Sequence, residues 1–219
     1  MRIHFVFIGE GSSDEGIIPH LENLCIELGA DEVTGTAIDF RRLEQPIGRT
    51  VEAKLQAALR LEPEANLFFL HRDSDSRNPD PRHAEISAAV EASKLPRSWV
   101  PVVPVQETEA WLLLDETAIR AVAGRPNGRR ALDLPRPQEV EMIAHPKERL
   151  QNALIDAAEV TGRRLERFRR EFPNHRFLLL QRLSLDGPLR DVSSWVRMRD
   201  KLHQELQGMK PAGTRNRRR

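Results

Sequence analysis

Asp73 and Asp75, one serine apart, lie at the end of a short apolar run, Leu67-Phe68-Phe69-Leu70, with His71 and Arg72 between run and acids. An unbroken apolar run of this length reads as a buried strand, and ligands of open α/β sheets bind past the carboxyl ends of strands. If the strand continued, both carboxylates would face the same way. Two like charges held together attract a cation, and hard oxygen ligands suit magnesium or manganese. The Asp-Ser-Asp-Ser segment reads equally as a polar turn. Other acids also follow apolar runs. Glu10 stands between Gly9 and Gly11 after the first, with Asp14 four residues on, and Glu107 and Glu109 follow the fourth. Gathering so many carboxylates without a cation is costly, which favours a metal site. Acids in a first helical turn also complement the helix dipole, worth a few tenths to about 1 kcal/mol. That role suffices for Glu15, and for Asp14 and Glu109 it stands beside the metal reading.

The elements that must position these acids alternate. Residues 2–8 read as a strand ended by a Gly-Glu-Gly turn. Ser12 and Glu15 have capping-box spacing for a helix to about Leu28, with Gly29 as its C-terminal cap. Val33–Phe40 reads as a strand, and residues 50–61 as a helix with Val51, Leu55, Ala58 and Leu59 on one face. After the strand 67–70 come a loop at 78–81 and a helix over 82–94. Residues 99–105 are extended, Pro101 and Pro104 suiting an edge strand, and Glu107 to Leu114 begins another helix. This β-α-β-α-β-α-β order predicts an α/β fold with a mainly parallel four-stranded sheet flanked by helices. Gly124 to Pro137 reads as a mobile loop, and the patterns are helical from Pro146, with a last helix over 191–207. The expected organisation is an α/β domain at 1–123, a helical C-terminal region at 124–208 and a disordered basic tail at 209–219.

The 219 residues allow one large domain or two small ones, and a net charge of +1 means that any polyanion-binding surface is local. Candidates are Arg77, the loop residues Arg129 and Arg130, Lys147, and the run Arg163 to Arg170, where phosphate contacts need only positive side chains along a groove. Arg77 serves equally as a partner for Asp75, and 163–170 equally as a solvated helix face. With no tyrosine and 5% aromatics, a base-stacking platform is not expected. The single cysteine, Cys25, excludes an internal disulfide and cysteine-rich zinc sites. The histidines lack His-x-x-x-His spacing, no Gly-x-Ser-x-Gly elbow is present, and no Gly-Lys-Ser/Thr follows Gly9 and Gly11. Neither a secretory leader nor a membrane span is expected, so the expected location is the cytoplasm.

A glutamate-glycine after the first strand and an Asp-x-Asp after the third resemble the Toprim fold of topoisomerases, primases and the overcoming-lysogenization-defect nucleases. More narrowly, Glu10-Gly11-Ser12-Ser13-Asp14-Glu15, Asp73-Ser74-Asp75, Gln106-Glu107-Thr108-Glu109-Ala110-Trp111-Leu112 and Pro146-Lys147 look like the bacterial family called domain of unknown function 4276. The resemblance covers most of the chain. It implies a magnesium- or manganese-dependent nuclease working beside a separate ATPase in anti-phage defence, with DNA or RNA as substrate. By this resemblance Glu10 is a metal ligand or general acid/base, Asp73 and Asp75 hold magnesium, and Glu107 or Glu109 holds a second ion or a water. The basic pair His71-Arg72 departs from the pattern, because such strands are usually apolar to the end, and it offers the acids protein cations. That departure favours an alternative, a non-catalytic partner or sensor that binds an ATPase or a phage component. A phosphatase or nucleotidyl transferase using the same acids is a third reading. A homo-oligomer is compatible with all three.

Overall fold

Phe5, Phe7, Val6 and Ile8 are all buried, so the first strand is covered on both faces, as parallel strands inside an α/β layer structure must be. The structure, a computed structural model, describes residues 1–43 and 47–210, with only the backbone of Arg41. Four strands, β1 (Arg2–Ile8), β2 (Glu32–Ala37), β3 (Leu67–His71) and β4 (Ser98–Val102), form an all-parallel sheet in the order β2-β1-β3-β4. Connections from β1 lead first to β2 on one side, and the chain then crosses back to β3 on the other. The carboxyl ends of β1 and β3 therefore flank the point where the winding reverses, the usual place for a ligand crevice. β4 is an edge strand, which suits Pro101 and Pro104.

Alternate residues divide the core in two. Ile3, Phe5, Phe7, Leu67 and Phe69 pack on one side with α1 (Ile18–Glu27), while Val6, Ile8, Phe68 and Leu70 pack on the other against α2 (Val51–Leu61) and α3 (Asp80–Ala92). Thr50 caps α2 by accepting the N–H of Ala53 at 3.2 Å. Gly29, at φ +102°, ends α1 in the left-handed conformation that favours glycine. The stretch from Ser12 to Ile17 is a 3-10 turn and becomes α-helical only at Ile18. β2 stops at Ala37, and Phe40–Arg42 is another 3-10 turn, although Ile38 and Phe40 extend the apolar pattern that predicts a longer strand.

After β4 come two short helices, α4 (Glu109–Leu112) and α5 (Glu116–Val122), then α6 (Pro146–Ala158), α7 (Gly162–Arg170), α8 (Phe172–Gln181) and α9 (Ser193–Met209). These helices do not build a separate core: Leu150, Leu154, Leu180, Trp195 and Leu202 belong to the same buried cluster as Phe5 and Phe69. Trp111 of α4 meets Trp195 of α9 edge-to-face, centroids 5.2 Å apart, and donates from Nε1 to Ser194 Oγ at 3.0 Å. Such aromatic pairs add about 0.5–1.5 kcal/mol beyond their buried area, and this one fastens the last helix beneath the site loops. Residues 124–137 carry no regular element, but Arg125–Glu159, Arg130–Asp156 and Arg149–Asp133 ion pairs tether them to α6 and its C-terminal cap. The tail from 211 onward lies outside the described residues.

Candidate functional site

Glu10 follows β1 and Asp73 follows β3, and the parallel pairing of these neighbours brings them together although 63 residues separate them. The Asp73 N–H donates to Glu10 Oε1 at 3.3 Å. Lys54 of α2 holds the Glu10 loop from the other side, donating from Nζ to the carbonyls of Gly9 at 2.8 Å and Glu10 at 3.1 Å. Burial lowers the Lys54 pKa, an effect opposed by the nearby Glu10 charge. Arg72 Nε lies 3.3 Å from Glu10 Oε1, at ion-pair distance but without hydrogen-bond alignment. Of the two glycines, Gly9 is the crowded one: a Cβ there would meet Phe7 at 3.0 Å, the Gly11 carbonyl at 3.2 Å and Asp14 at 3.3 Å, so its neighbours would have to give by a few tenths of an ångström. Gly11 is extended (φ −147°) with open space around it, so its backbone does not require glycine.

Asp73 is fixed by Thr108, whose N–H and Oγ1 each donate to Oδ1 at 2.9 Å. His71 Nε2 is 3.0 Å from Thr108 Oγ1. Because that hydroxyl spends its proton on Asp73, His71 donates from Nε2, a tautomer assigned from the network. The other ring nitrogen, Nδ1, is buried without a hydrogen bond, 3.6 Å from Asp14 Oδ2. Burial, opposed by His71 and the Thr108 bonds and reinforced by Glu109 and Asp14, raises the Asp73 pKa to about 6. The carboxyl is thus costly to ionise chiefly because it is buried.

Asp75 takes a different direction. β3 ends at His71, and Asp75 adopts φ +52°, donating its N–H to Gln106 O at 2.8 Å. Gln106, also left-handed at φ +66°, donates back to Ser76 O at 3.1 Å. This paired turn breaks the strand alternation that would have aligned the two aspartates. Asp75 instead meets Arg82 of α3, Nη2 to Oδ2 at 2.7 Å, while Arg82 Nε holds the Asp73 carbonyl at 3.1 Å.

Asp14 and Glu109 are both buried and share one cation. Arg176 of α8 donates from Nη2 to Asp14 Oδ1 at 2.9 Å, from Nε to Glu109 Oε1 at 2.8 Å and from Nη1 to Ser13 O at 2.9 Å. Glu107 accepts the backbone N–H of Lys147 at 3.1 Å. A cleft of about 820 Å3 is lined by Glu10, Ser12, Lys54 and Arg72, and another of about 490 Å3 by Asp75, Glu107 and Lys147. The candidate acids are therefore divided: Glu10 with Asp73, Asp14 with Glu109, Asp75 and Glu107 along the second cleft. Arg77 donates to Met142 O at 3.0 Å and Arg130 pairs with Asp156, whereas Arg129 is exposed.

Among the described residues no group of three or more His, Cys, Asp or Glu side chains is arranged to hold a metal ion. Magnesium, however, is commonly held by one or two carboxylates completed by waters and substrate phosphate. Glu10 and Asp73 fit that demand: the Asp73 N–H meets the Glu10 carboxylate, Glu10 borders the larger cleft, and Thr108 binds only Oδ1 of Asp73, leaving Oδ2 for a ligand.

The residues that sequence reasoning missed are Arg176, Thr108, Arg82 and Lys54. Arg176 had a signal, since it shares the helical face of Phe172, Leu179 and Leu180, all of them buried. A search with the chain finds no match among protein-family models, curated proteins or solved structures.

Proposed function

We propose that the protein is a magnesium- or manganese-dependent phosphoryl-transfer enzyme, a nuclease acting on DNA or RNA beside a separate ATPase in anti-phage defence. The observation that carries this reading is the meeting of Glu10 and Asp73 where the sheet reverses its winding, with Asp73 oriented by Thr108 and its pKa raised by burial. The nuclease class, the ATPase and the defence role rest on the resemblance of the four sequence motifs. A bound ion would stabilise charge on the attacking and leaving oxygens of a phosphodiester. Glu10, partly exposed beside the larger cleft, is placed to hold that ion or to take a proton from an attacking water. Thr108 fixes Asp73, Lys54 fixes the Glu10 loop, and Arg72 balances the Glu10 charge.

Cleavage assays with magnesium or manganese test this. Glu10→Gln and Asp73→Asn should each lower the rate by about 10²-fold or more, and equal cleavage by wild type and both variants would remove the site. A second reading, a non-catalytic partner that keeps the fold, is favoured by the protein cations already beside the acids: Arg176, Arg82 and Arg72. Co-purification with an ATPase without any metal-dependent cleavage would select it.

A further inference from the structure

Glu109 is the acid that the resemblance gives to a second ion or a water, and Asp14 is the buried acid nearest to it through a shared partner. Between them lies a guanidinium. All three Arg176 nitrogens are used, one on each carboxylate and one on the Ser13 carbonyl, at 2.8–2.9 Å. Arg176, Asp14 and Glu109 are each under 10% exposed. We propose that Arg176 is a built-in cation in the place of a second metal ion, so that the centre takes one divalent ion, at Glu10 and Asp73, and none between Asp14 and Glu109. This rests on the phosphoryl-transfer reading and specifies the ion count of its site.

The chemistry favours the guanidinium. Magnesium demands near-octahedral oxygen ligands at about 2.0–2.1 Å and usually keeps several waters. A dry gap already filled by a planar group offers neither the oxygens nor the room. Arginine is charged at every working pH, is weakly hydrated, and matches two carboxylates through a rigid fork. Arg176 acts through the residues it holds and is a positioning residue. It fixes Asp14, which caps Gly11 at 3.2 Å next to Glu10 and lies 3.6 Å from His71. His71 then leads through Thr108 to Asp73. Arg176 comes from α8, so the helical region completes the centre as well as covering the sheet.

Manganese binding to the full chain, counted by electron paramagnetic resonance and calorimetry, tests the inference independently of activity. The wild type should hold one Mn²⁺, lost in Glu10→Gln and Asp73→Asn and kept in Glu109→Gln. Arg176→Lys should also hold one, and Arg176→Ala, which opens the gap beside the Asp14, Glu109 and Ser13 oxygens, should hold two if circular dichroism shows it folded. A wild type with two ions, one of them lost in Glu109→Gln, overturns the inference and leaves the phosphoryl-transfer reading standing, as does a folded Arg176→Ala that holds only one. A wild type that binds no Mn²⁺ overturns both. Should Arg176→Ala fail to fold, the wild-type and Glu109→Gln counts still decide.

Discussion

The backbone N–H of Asp73 donates to the Glu10 carboxylate at 3.3 Å, so one acid of the pair is held by the peptide of the other. Burial, reinforced by the Glu109 and Asp14 carboxylates, makes the Asp73 charge expensive. With a folded pKa of about 6 against 3.8 for the free group, the native state binds a proton between those limits that the unfolded chain has released. Stability therefore falls as pH rises from about 4 to about 6 and stays lower above it. Two units correspond to at most about 3 kcal/mol. Asp73→Asn keeps an oxygen for Thr108 and removes the charge, so the metal-free variant should be about 1–3 kcal/mol more stable than wild type at pH 8 and no more stable below about pH 4. Urea titrations at the two pH values measure the difference.

The same shift governs loading of the site. Metal ligands must be deprotonated, so a proton on Asp73 competes with a divalent ion. Manganese affinity should hold between pH 7 and 8 and fall progressively as pH drops through about 6, approaching tenfold per unit below it. Calorimetric titrations across pH 5–8 follow the trend, and an affinity flat down to pH 5 would show that Asp73 is not a ligand.

Much of this arrangement is written locally in the chain. The apolar runs at 2–8 and 67–70 locate two central strands, and Pro101 and Pro104 mark β4 as an edge. Parallel pairing then brings acids after β1 and β3 to one rim. What local pattern does not carry is direction and partner. Asp75 looks strand-aligned with Asp73 until the left-handed turn with Gln106 reverses it. Gly and Pro composition marks 124–137 as irregular but does not disclose that Arg125 and Arg130 tie it to Glu159 and Asp156. The buried face of α8 implies that Arg176 turns inward, while its acids lie 67 and 162 residues away, a range that no helical period reports. The change of grain at 124 suggests a boundary, yet Trp111 and Trp195 close one core across it.

Arg176 also bears on stability. Breaking a buried ion pair from one side leaves uncompensated charge and typically costs about 3–5 kcal/mol. Here two buried carboxylates lose one partner, so Arg176→Met should destabilise the metal-free protein by about that much at pH 7. A triple variant, Arg176→Met with Asp14→Asn and Glu109→Gln, should recover a large part of the loss because neither former partner of Arg176 is left charged. Chemical denaturation of both variants provides the comparison, and equal destabilisation would mean that packing rather than charge makes Arg176 important.

Cys25 is fully buried and its thiol is pushed up to about 12, chiefly by burial. Only the thiolate attacks disulfide reagents, so at pH 8 the folded protein presents roughly one reactive group in 10⁴. A thiol reagent at that pH should leave the native chain unlabelled for hours and label it stoichiometrically in denaturant. Rapid native labelling would mean that α1 opens readily from the sheet.

The surface prediction concerns α7, on which no residue is buried. Arg167 and Arg169 are paired with Glu171 and Glu166, and Arg170 reaches the Glu166 carbonyl, while Arg163 and Arg164 are exposed at the start of the helix. If polynucleotide lies along this helix, each phosphate neutralised releases a counterion, and log affinity falls with log salt by about 0.9 per contact on duplex and 0.7 on single strands. Arg163→Gln with Arg164→Gln should then weaken binding to all sequences alike and reduce the salt slope by about 1–2, with little change in stability because both side chains are solvated. Fluorescence anisotropy on single- and double-stranded DNA and RNA at several salt concentrations measures the slope. An unchanged slope would leave α7 as a solvated face and direct the search for the polyanion path to Arg129 and the Lys147 cleft.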